Sequence, residues 1–459
     1  PYIAGRSYDP DALGTFWSKW LARNPFHIGY TLRIYEGELG QALADMIMRE
    51  YVIEKIDAGS DGVSITAKDV LRRITETGVS APALSPGELS SDITIDAVDI
   101  VIAGAVEADY PASGTVRIGD ELISYTLRTV VNADIVLTGC TRGTLTTDAA
   151  THSQEDRVQR VLIYTDTIFS DILYDLLTVW GGIPTAYIDD AAWDAEAIKW
   201  RPDFRFSAVI SVPTKVDELA GEVSLQAQAH IWWDERAQTI RLKAQHPDEV
   251  ILAASDDGDI LAGSLSIKER PEERVSQVFV YYNLRGSTDD HTKSENYTNA
   301  VVYIDFDAQQ QFGGEVAVRE LYCRFIQTDA LAINMAANYL NRFRNVRREI
   351  TFSLGPQGAE TFWTGDSLDL THYLDVDFTG AARVGNWLIT SANATDPGSQ
   401  YKFVAEDNDS AGIYWEWVDE AVYPLTWADA TEAEREVVGY WLDDDGNDAG
   451  GTPRKFRWT

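Results

Sequence analysis

Short runs of β-forming residues, separated by turn-prone residues, recur through most of this 459-residue chain and constrain its fold more than any other feature. Residues 32–35, 51–56 and 63–67 are such runs. The turn-prone residues 58–62 separate the last two, so this part of the chain is predicted to form a β-meander. Between residues 93 and 160 the runs are shorter and more closely spaced, which predicts a compact all-β unit.

Three segments show helical spacing instead. Apolar residues recur every three or four positions over residues 168–180, and Gly181 follows as a stop signal. A second helix is expected to begin near Pro213, and the clearest helix covers about 329–345, after the capping residue Thr328. The sequence therefore predicts a mainly β protein with some α, an α+β fold of several domains.

The charge of the chain restricts its partners. Lysine and arginine number 38 against 73 aspartates and glutamates, which gives a formal net charge of −35. Proteins that bind nucleic-acid grooves or anionic membranes do so with clustered cations, so both classes of binding are disfavoured. Two interpretations stay open, solubility and a surface that repels polyanions.

The two cysteines, Cys140 and Cys323, are too few for a disulfide framework or a paired-cysteine metal site, and they are predicted to be buried free thiols. No apolar run approaches the roughly 18 to 20 residues that cross a bilayer, so we expect no stable membrane insertion. The chain starts at Pro1 without an initiator methionine, and its first domain is expected to be N-terminally incomplete.

Signatures of catalysis are missing from the sequence. There is no Gly-Lys dipeptide, no G-x-S-x-G elbow and no G-x-G-x-x-G turn, and no two of the six histidines lie close enough in sequence to form a local zinc pair. The sequence therefore predicts a protein that is not an enzyme, with no catalytic residues and no cofactor.

One acidic turn has oxygen atoms at alternate positions, as calcium-binding loops do: Asp443, Asp445 and Asn447. Asp448 stands where such loops need glycine, and Arg454 stands where they have a bidentate glutamate. The sequence therefore predicts no metal site. This turn is the one calcium candidate, and the alternative is that it is a solvated acidic turn.

Two further groups of residues have more than one interpretation. Arg342, Arg344, Arg347 and Arg348 are expected to complement the dipole of the 329–345 helix and to pair with acids, with anion binding as the alternative. The adjacent Trp232 and Trp233 point to opposite sides of a strand, which suits a domain junction better than a sugar-stacking platform.

Several segments resemble one family when they are taken in order. They are residues 14–19, 32–49, 51–54, 65–71, 110–114, 117–121 and 141–152. The last is similar to a TRGxxGTxAxxH pattern of phage tail proteins, with Thr146 in place of the second glycine. Together these segments, spread over most of residues 1–400, resemble the central tail hub (baseplate hub or tail tip) protein of long-tailed siphophages.

The resemblance implies a structural virion protein at the distal end of the phage tail. It implies a homotrimer of β-barrel-containing hub domains, continuous with the distal tail or tube protein ring and serving as an attachment platform for tail fibres or receptor-binding proteins. Genome DNA and tape-measure protein would pass through its lumen, the DNA without specific binding. An acidic wall suits this role because it does not bind the phosphate backbone.

This implied architecture leads to five predicted parts. They are a first hub β domain at 1–83, a small all-β insertion at 84–163, an α/β domain with two helices and a hairpin at 164–250, a second hub β-barrel domain at 251–400 and an acidic Trp-rich segment at 401–459. Residues 80–91, rich in proline and serine, are the expected linker into the insertion. The two hub domains are predicted to be related barrels, so that three chains offer six similar surfaces to a hexameric tube.

Two alternative functions belong to other classes. The Trp-rich end could make the chain a tail-associated adhesin for host glycans, which would bind sugar. The many carboxylates could make it a tail-associated glycan hydrolase, which would clear peptidoglycan.

Overall fold

The computed structural model describes residues 15–37, 39–59, 62–72, 74, 78–246, 252–255, 260–376, 379–381, 385–396, 399–408, 415–417, 438–440 and 455–458. Within these ranges the chain is mostly β with some helix, and its strands form several small sheets and a half-barrel. The predicted α+β class is therefore confirmed.

The described helices fall where the sequence predicts them, with additions. In chain order they are α1 Phe16–Arg23, α2 Phe169–Asp175, α3 Asp190–Trp200, α4 Val216–Ala227, α5 Phe306–Gln311, α6 Asp329–Phe343 and α7 Pro356–Thr361. Helix α2 continues into a π turn that ends at Gly181, and Thr328 precedes α6 without a side-chain capping bond. No helix in the described ranges is both long enough and apolar enough to cross a membrane.

The strands β1 to β28 follow one another along the chain. They are Thr31–Glu36, Ile47–Ala58, Val63–Lys68, Ser80–Ala81, Glu88–Leu89, Asp99–Ala103, Gly114–Ile118, Glu121–Tyr125, Leu127–Val131, Asp134–Thr138, Gln159–Arg160, Leu162–Ile168, Arg205–Ile210, Thr214–Lys215, Ala229–Asp234, Thr239–Ala244, Leu252–Ser255, Ser266–Arg270, Gln277–Leu284, Tyr297–Ile304, Val318–Cys323, Arg347–Leu354, Ser367–Thr371, Gly385–Asp396, Gln400–Asp407, Trp415–Trp417, Val438–Tyr440 and Lys455–Trp458.

The pairing of these strands is mostly antiparallel. Strands β1, β2 and β3 form the predicted meander, and β15 and β16 form the predicted hairpin. The largest sheet has six strands in the order β17-β23-β24-β25-β22-β18. A three-stranded sheet has the order β20-β19-β21, in which β19 and β21 run parallel. Strands β26, β28 and β27 form a sheet of their own near the C-terminus.

Buried apolar side chains gather in three cores. The first joins α2, α3, α4 and α6 to the β20-β19-β21 sheet and the β15–β16 hairpin. The second lies under the six-stranded sheet. The third contains only residues between Leu89 and Val158. All of them lie within the predicted insertion, and we call residues 84–163 the insertion unit. The predicted 251–400 domain contributes to both the first and the second core.

Two sequence expectations differ from the structure at the edges of these parts. The expected linker at 80–91 is packed rather than loose, because Ala81, Ser85 and Leu89 are buried and the Ser85 amide donates to Gln159 Oε1 at 3.1 Å. The predicted boundary between residues 400 and 401 falls inside β25, which pairs with β22 and β24. The division into five domains stays a prediction.

The insertion unit is expected to be removable. Its two ends lie side by side, since Gln159 Nε2 donates to the Ala83 carbonyl at 2.8 Å, and a deletion between adjacent ends leaves the remaining backbone undisturbed. Leu162 and Ile163 pair with Ile210 and Val209 of β13, so they are kept in this test. A chain in which a short Gly/Ser link replaces residues 84–161 should keep its circular-dichroism spectrum and its native oligomeric mass after correction for the deletion. An insoluble or unfolded product would place the unit in the core of the protein.

Candidate assembly surface

The outer face of the β20-β19-β21 sheet exposes, fully or in part, apolar side chains from all three of its strands. Because alternate residues of a strand point to one side, the pairing registers bring nine side chains onto this face. They are Gln277, Phe279, Tyr281, Ala300, Val302, Ile304, Val318, Glu320 and Tyr322. We call this surface the tyrosine face.

Aromatic rings occupy the centre of the tyrosine face. Tyr281 and Tyr322 are partners in the parallel register, and their ring centroids lie 5.3 Å apart at an interplanar angle of 12°. Phe279 stacks beside Tyr281 at 6.5 Å. Val302 and Val318 flank the rings and are 46% and 52% exposed. Rigid stacked rings flanked by exposed β-branched residues present a large contact area that loses little entropy when it is covered.

The tyrosine face is almost free of charge. Its one ionisable acid, Glu320, accepts a hydrogen bond from the Tyr322 hydroxyl at 2.8 Å. This bond, together with burial, raises the pKa of Tyr322 to about 12, so the tyrosine stays neutral at physiological pH. Glu320 is the one charged side chain of the nine, and the other eight are uncharged.

The opposite side of the same sheet holds the tyrosine face in place. Val278, Val280 and Tyr282 are buried in the first core, where α6 packs on β19 and β20. The Tyr282 hydroxyl donates to Asp329 Oδ1, at the start of α6, at 2.6 Å. The face is therefore a fixed platform on a packed sheet, and an exposed apolar surface of this kind is a candidate contact surface for another polypeptide.

The TRGxxGTxAxxH-like segment has a structural role in the insertion unit. It wraps around Glu121, whose side chain is fully buried. Arg142 donates to both carboxylate oxygens, Nε to Oε1 at 2.8 Å and Nη2 to Oε2 at 2.7 Å. The Gly143 and Ala150 amides also donate, and His152 Nε2 lies 2.7 Å from Oε2. Burial raises the pKa of Glu121, but these hydrogen bonds outweigh it and lower the pKa to about 2.

Comparison with solved structures finds weak similarities. The chain is similar to virion and tail structures. One is the virion of a native gene transfer agent particle, with a TM-score of 0.37, 14% identity, and coverage of 71% of this chain and 84% of that chain. Another is the 43 kDa tail protein of prophage MuSo2 from Shewanella oneidensis, with a TM-score of 0.35, 10% identity, and coverage of 79% and 100%. A third is the tail protein from Neisseria meningitidis MC58, with a TM-score of 0.34, 12% identity, and coverage of 71% and 93%.

No family model and no curated protein matches the chain. Because the structural likenesses have TM-scores below 0.5, they carry no argument about function. The functional conclusion rests on the residues themselves.

The loop that contains Thr146 keeps the backbone conformation expected of the glycine it replaces. Leu145 and Thr146 have φ angles of 52° and 70°, in the left-handed region. This region costs a residue with a β-carbon roughly 1–2 kcal/mol, and a β-branched residue is especially disfavoured there.

Thr146→Gly is therefore expected to stabilise the insertion unit by about 1 kcal/mol, after allowance for the greater freedom of glycine in the unfolded chain. Thermal unfolding or hydrogen exchange measures the change. Thr144→Gly is the matched control and should destabilise, because the Thr144 hydroxyl donates to the Leu122 carbonyl at 3.2 Å and its φ is not positive. Destabilisation by both variants would contradict the assignment of strain.

The arginine run pairs with acids, as predicted. Arg344 Nε lies 3.1 Å from Asp305, Arg347 Nη1 lies 3.2 Å from Glu273, and Arg348 Nη1 lies 2.7 Å from Asp375. Arg342 Nη2 is 3.9 Å from Glu406. Burial and the neighbouring Arg347 lower the pKa of Arg342 to about 10. The pair of Arg342 with Glu406 joins α6 to β25 of the six-stranded sheet. All four arginines lie near acids, which supports the structural interpretation over anion binding.

The adjacent tryptophans contact different parts of the chain, which is consistent with the expected junction. Trp233 is buried in the first core, and its Nε1 donates to the Glu50 carbonyl of the meander at 3.1 Å. The Trp232 ring lies against Gly365, where a β-carbon would come within 2.1 Å of it. Both cysteines are buried free thiols, as predicted.

The calcium candidate Asp443, Asp445 and Asn447 lies outside the described residues. Among the described residues, Asp171, Asp190 and Asp194 place carboxylate oxygens within 4.8 Å of one another. Burial and the two neighbouring carboxylates raise the pKa of Asp171. This group could not be predicted from the sequence, because Asp171 lies in α2 and the other two aspartates lie in α3. Partly exposed acidic groups of this kind are common without an ion, and we assign no metal site to it.

Proposed function

We propose that this chain is a structural, non-enzymatic protein of a phage tail that assembles as a homotrimer and forms the central hub at the distal end. The observation that carries the proposal is the tyrosine face, an exposed aromatic surface with a single carboxylate on a strongly acidic chain. Copies of a chain with a net charge of −35 repel one another, which favours contact between them through an apolar surface that carries few carboxylates. The ordered likeness of the sequence to tail hub proteins supports the same conclusion.

The acidic surface would allow DNA to pass through the ring. A bore lined by carboxylates repels the phosphates of the duplex, so DNA passes without adhering to the wall. The meander and the later β region would each contribute a related barrel, which gives three chains six surfaces for the tube ring. The tape-measure protein would pass through the same bore, and fibres or receptor-binding proteins would attach outside it.

Labelling of intact particles tests this function. Gold-conjugated antibodies raised against the purified chain should decorate the distal end of the tail in electron micrographs. Antibodies pre-absorbed with the chain are the control and should not decorate it. Decoration of the capsid or of the whole tail length would contradict the hub assignment.

A further inference from the structure

A groove of about 570 Å³ opens where the β1-β2-β3 meander meets the β15–β16 hairpin and the six-stranded sheet. Much of its wall is apolar, formed by Leu32 and Ile34 of β1, Trp233 of the hairpin, and Trp363 and Ala392 from the region of the six-stranded sheet. We call it the Arg49 groove, because one buried cation is set into this wall.

Arg49 has unusual surroundings for a charged residue. It is only 5% exposed, and its guanidinium carbon lies 4.9 Å from the centre of a Trp363 ring. Nη1 donates to Glu36 Oε2 at 2.5 Å. The other two nitrogens, Nε and Nη2, are buried and have no hydrogen-bond partner among the described residues. Buried donors without partners are rare and costly, and those of a cation cost the most.

The two unpaired nitrogens form one edge of the guanidinium, and this chain shows what that edge binds. Arg142 uses Nε and Nη2 to hold the carboxylate of Glu121, at 2.8 and 2.7 Å. Arg324 uses the same pair to hold Glu222, with both contacts at 2.7 Å. This planar fork matches the two oxygens of a carboxylate, and the match is strongest away from water.

The residues around Nε and Nη2 of Arg49 suit a peptide rather than a free ion. Ile34 and Tyr35 line the groove from β1 and are exposed. Within the described strands β1 pairs only with β2, so its other edge has backbone groups available to an added extended segment. The Arg236 guanidinium carbon lies 3.6 Å from the centre of a Trp363 ring, behind the groove lining. Three acids, Glu36, Asp69 and Glu235, also line the groove, and burial raises the pKa of Glu235.

We propose that the Arg49 groove binds an extended segment of a partner polypeptide, with an acidic side chain paired to Arg49 Nε and Nη2 and apolar residues on either side of it. This inference does not depend on the tail function. It concerns a different surface from the tyrosine face, and it predicts that this surface prefers an acidic side chain.

Two short peptides test the proposal on the full chain. Acetyl-Val-Glu-Val-amide and acetyl-Val-Gln-Val-amide differ only in the carboxylate. The first should bind at least tenfold more tightly, measured by titration calorimetry or by the fluorescence of the groove tryptophans. Arg49→Lys keeps the positive charge but lacks the paired guanidinium nitrogens. It should reduce the difference in affinity between the two peptides to less than threefold. Arg33→Lys is the control, because Arg33 lies on the opposite side of β1 and pairs with Glu50, and it should keep the tenfold difference.

Nitrogen-15 spectra of the unmodified chain give a second readout if the Arg49 variant folds poorly. The Arg49 Nε–H signal should shift with the glutamate peptide and not with the glutamine peptide. Equal binding of both peptides, or no binding of either at millimolar concentration, overturns the proposal. Free acetate that binds as well as the glutamate peptide would assign the groove to a small anion instead. A fall in native mass on addition of the peptide would assign it to an interface between copies of this chain.

Discussion

Glu121→Gln is expected to lower the stability of the insertion unit by about 3–5 kcal/mol, the usual effect of removing one partner from a buried ion pair. The Arg142 guanidinium would remain buried without its counter-charge, and the Gly143 and Ala150 amides would each lose a charged acceptor. In a chain with several cores, hydrogen exchange measures this locally. Amides of β7 and β8 should lose at least about 100-fold of their protection, while those of α6 should change little.

The neighbouring residue provides the matched control for this variant. Asp120 has a side chain that is 95% exposed, 3.8 Å from Arg117, and exposed pairs contribute little. Asp120→Asn removes the same charge and should change protection by less than about 0.5 kcal/mol. If the two variants behaved alike, the Glu121 network would not be what holds this unit together.

The same network has a predictable pH dependence. The folded pKa of Glu121 is lowered from its ordinary 4.5 to about 2, so the folded state prefers the ionised form. Its contribution to stability is therefore complete above about pH 4.5 and is lost as the pH falls towards 2. Glu121→Gln should remove this part of the acid dependence.

Val302→Asp is expected to convert the assembled protein into monomers. Val302 is exposed at the tyrosine face, so the folded chain should tolerate the carboxylate. In an assembly the same carboxylate would be buried against an apolar partner, at a cost of several kcal/mol for each interface. Native mass spectrometry should show the change from about 153 kDa, three copies of a 51.0 kDa chain, to a single copy.

An equally exposed valine on a different sheet is the control. Val130 lies on β9 of the insertion unit, and Val130→Asp adds the same charge away from the tyrosine face. It should leave the trimer intact. A Val302→Asp protein that stays trimeric, or a Val130→Asp protein that dissociates, would show that the tyrosine face is not the contact between copies.

Periodic parts of the chain could be predicted from its sequence because their packing is local. The stripe of Leu331, Met335 and Tyr339 indicates α6, and all three residues are buried. The meander and the hairpin were predicted for the same reason. Helix α3 was missed because only Trp193 and Ala197 are buried on it, which is too few for a visible stripe.

Sites assembled from distant residues could not be predicted in this way. In β19 both sets of alternate residues are largely apolar, so the sequence indicates a strand but not which side is exposed. Packing of Val278 and Val280 against α6 decides that Phe279 and Tyr281 face outward. The pairing of Arg142 with Glu121 spans 21 residues and depends on a folded sheet. The unpaired edge of Arg49 is likewise set by long-range packing.

A reconstruction of the intact tail at side-chain resolution tests the central claim most directly. We expect three copies of this chain around the tail axis, with the tyrosine face of each copy covered by its neighbour. The meander and the later β region should superpose as related barrels that alternate around a channel of net negative potential. A different symmetry, a tyrosine face left in solvent, only one of the two β regions at the axis, or a basic channel would contradict this account.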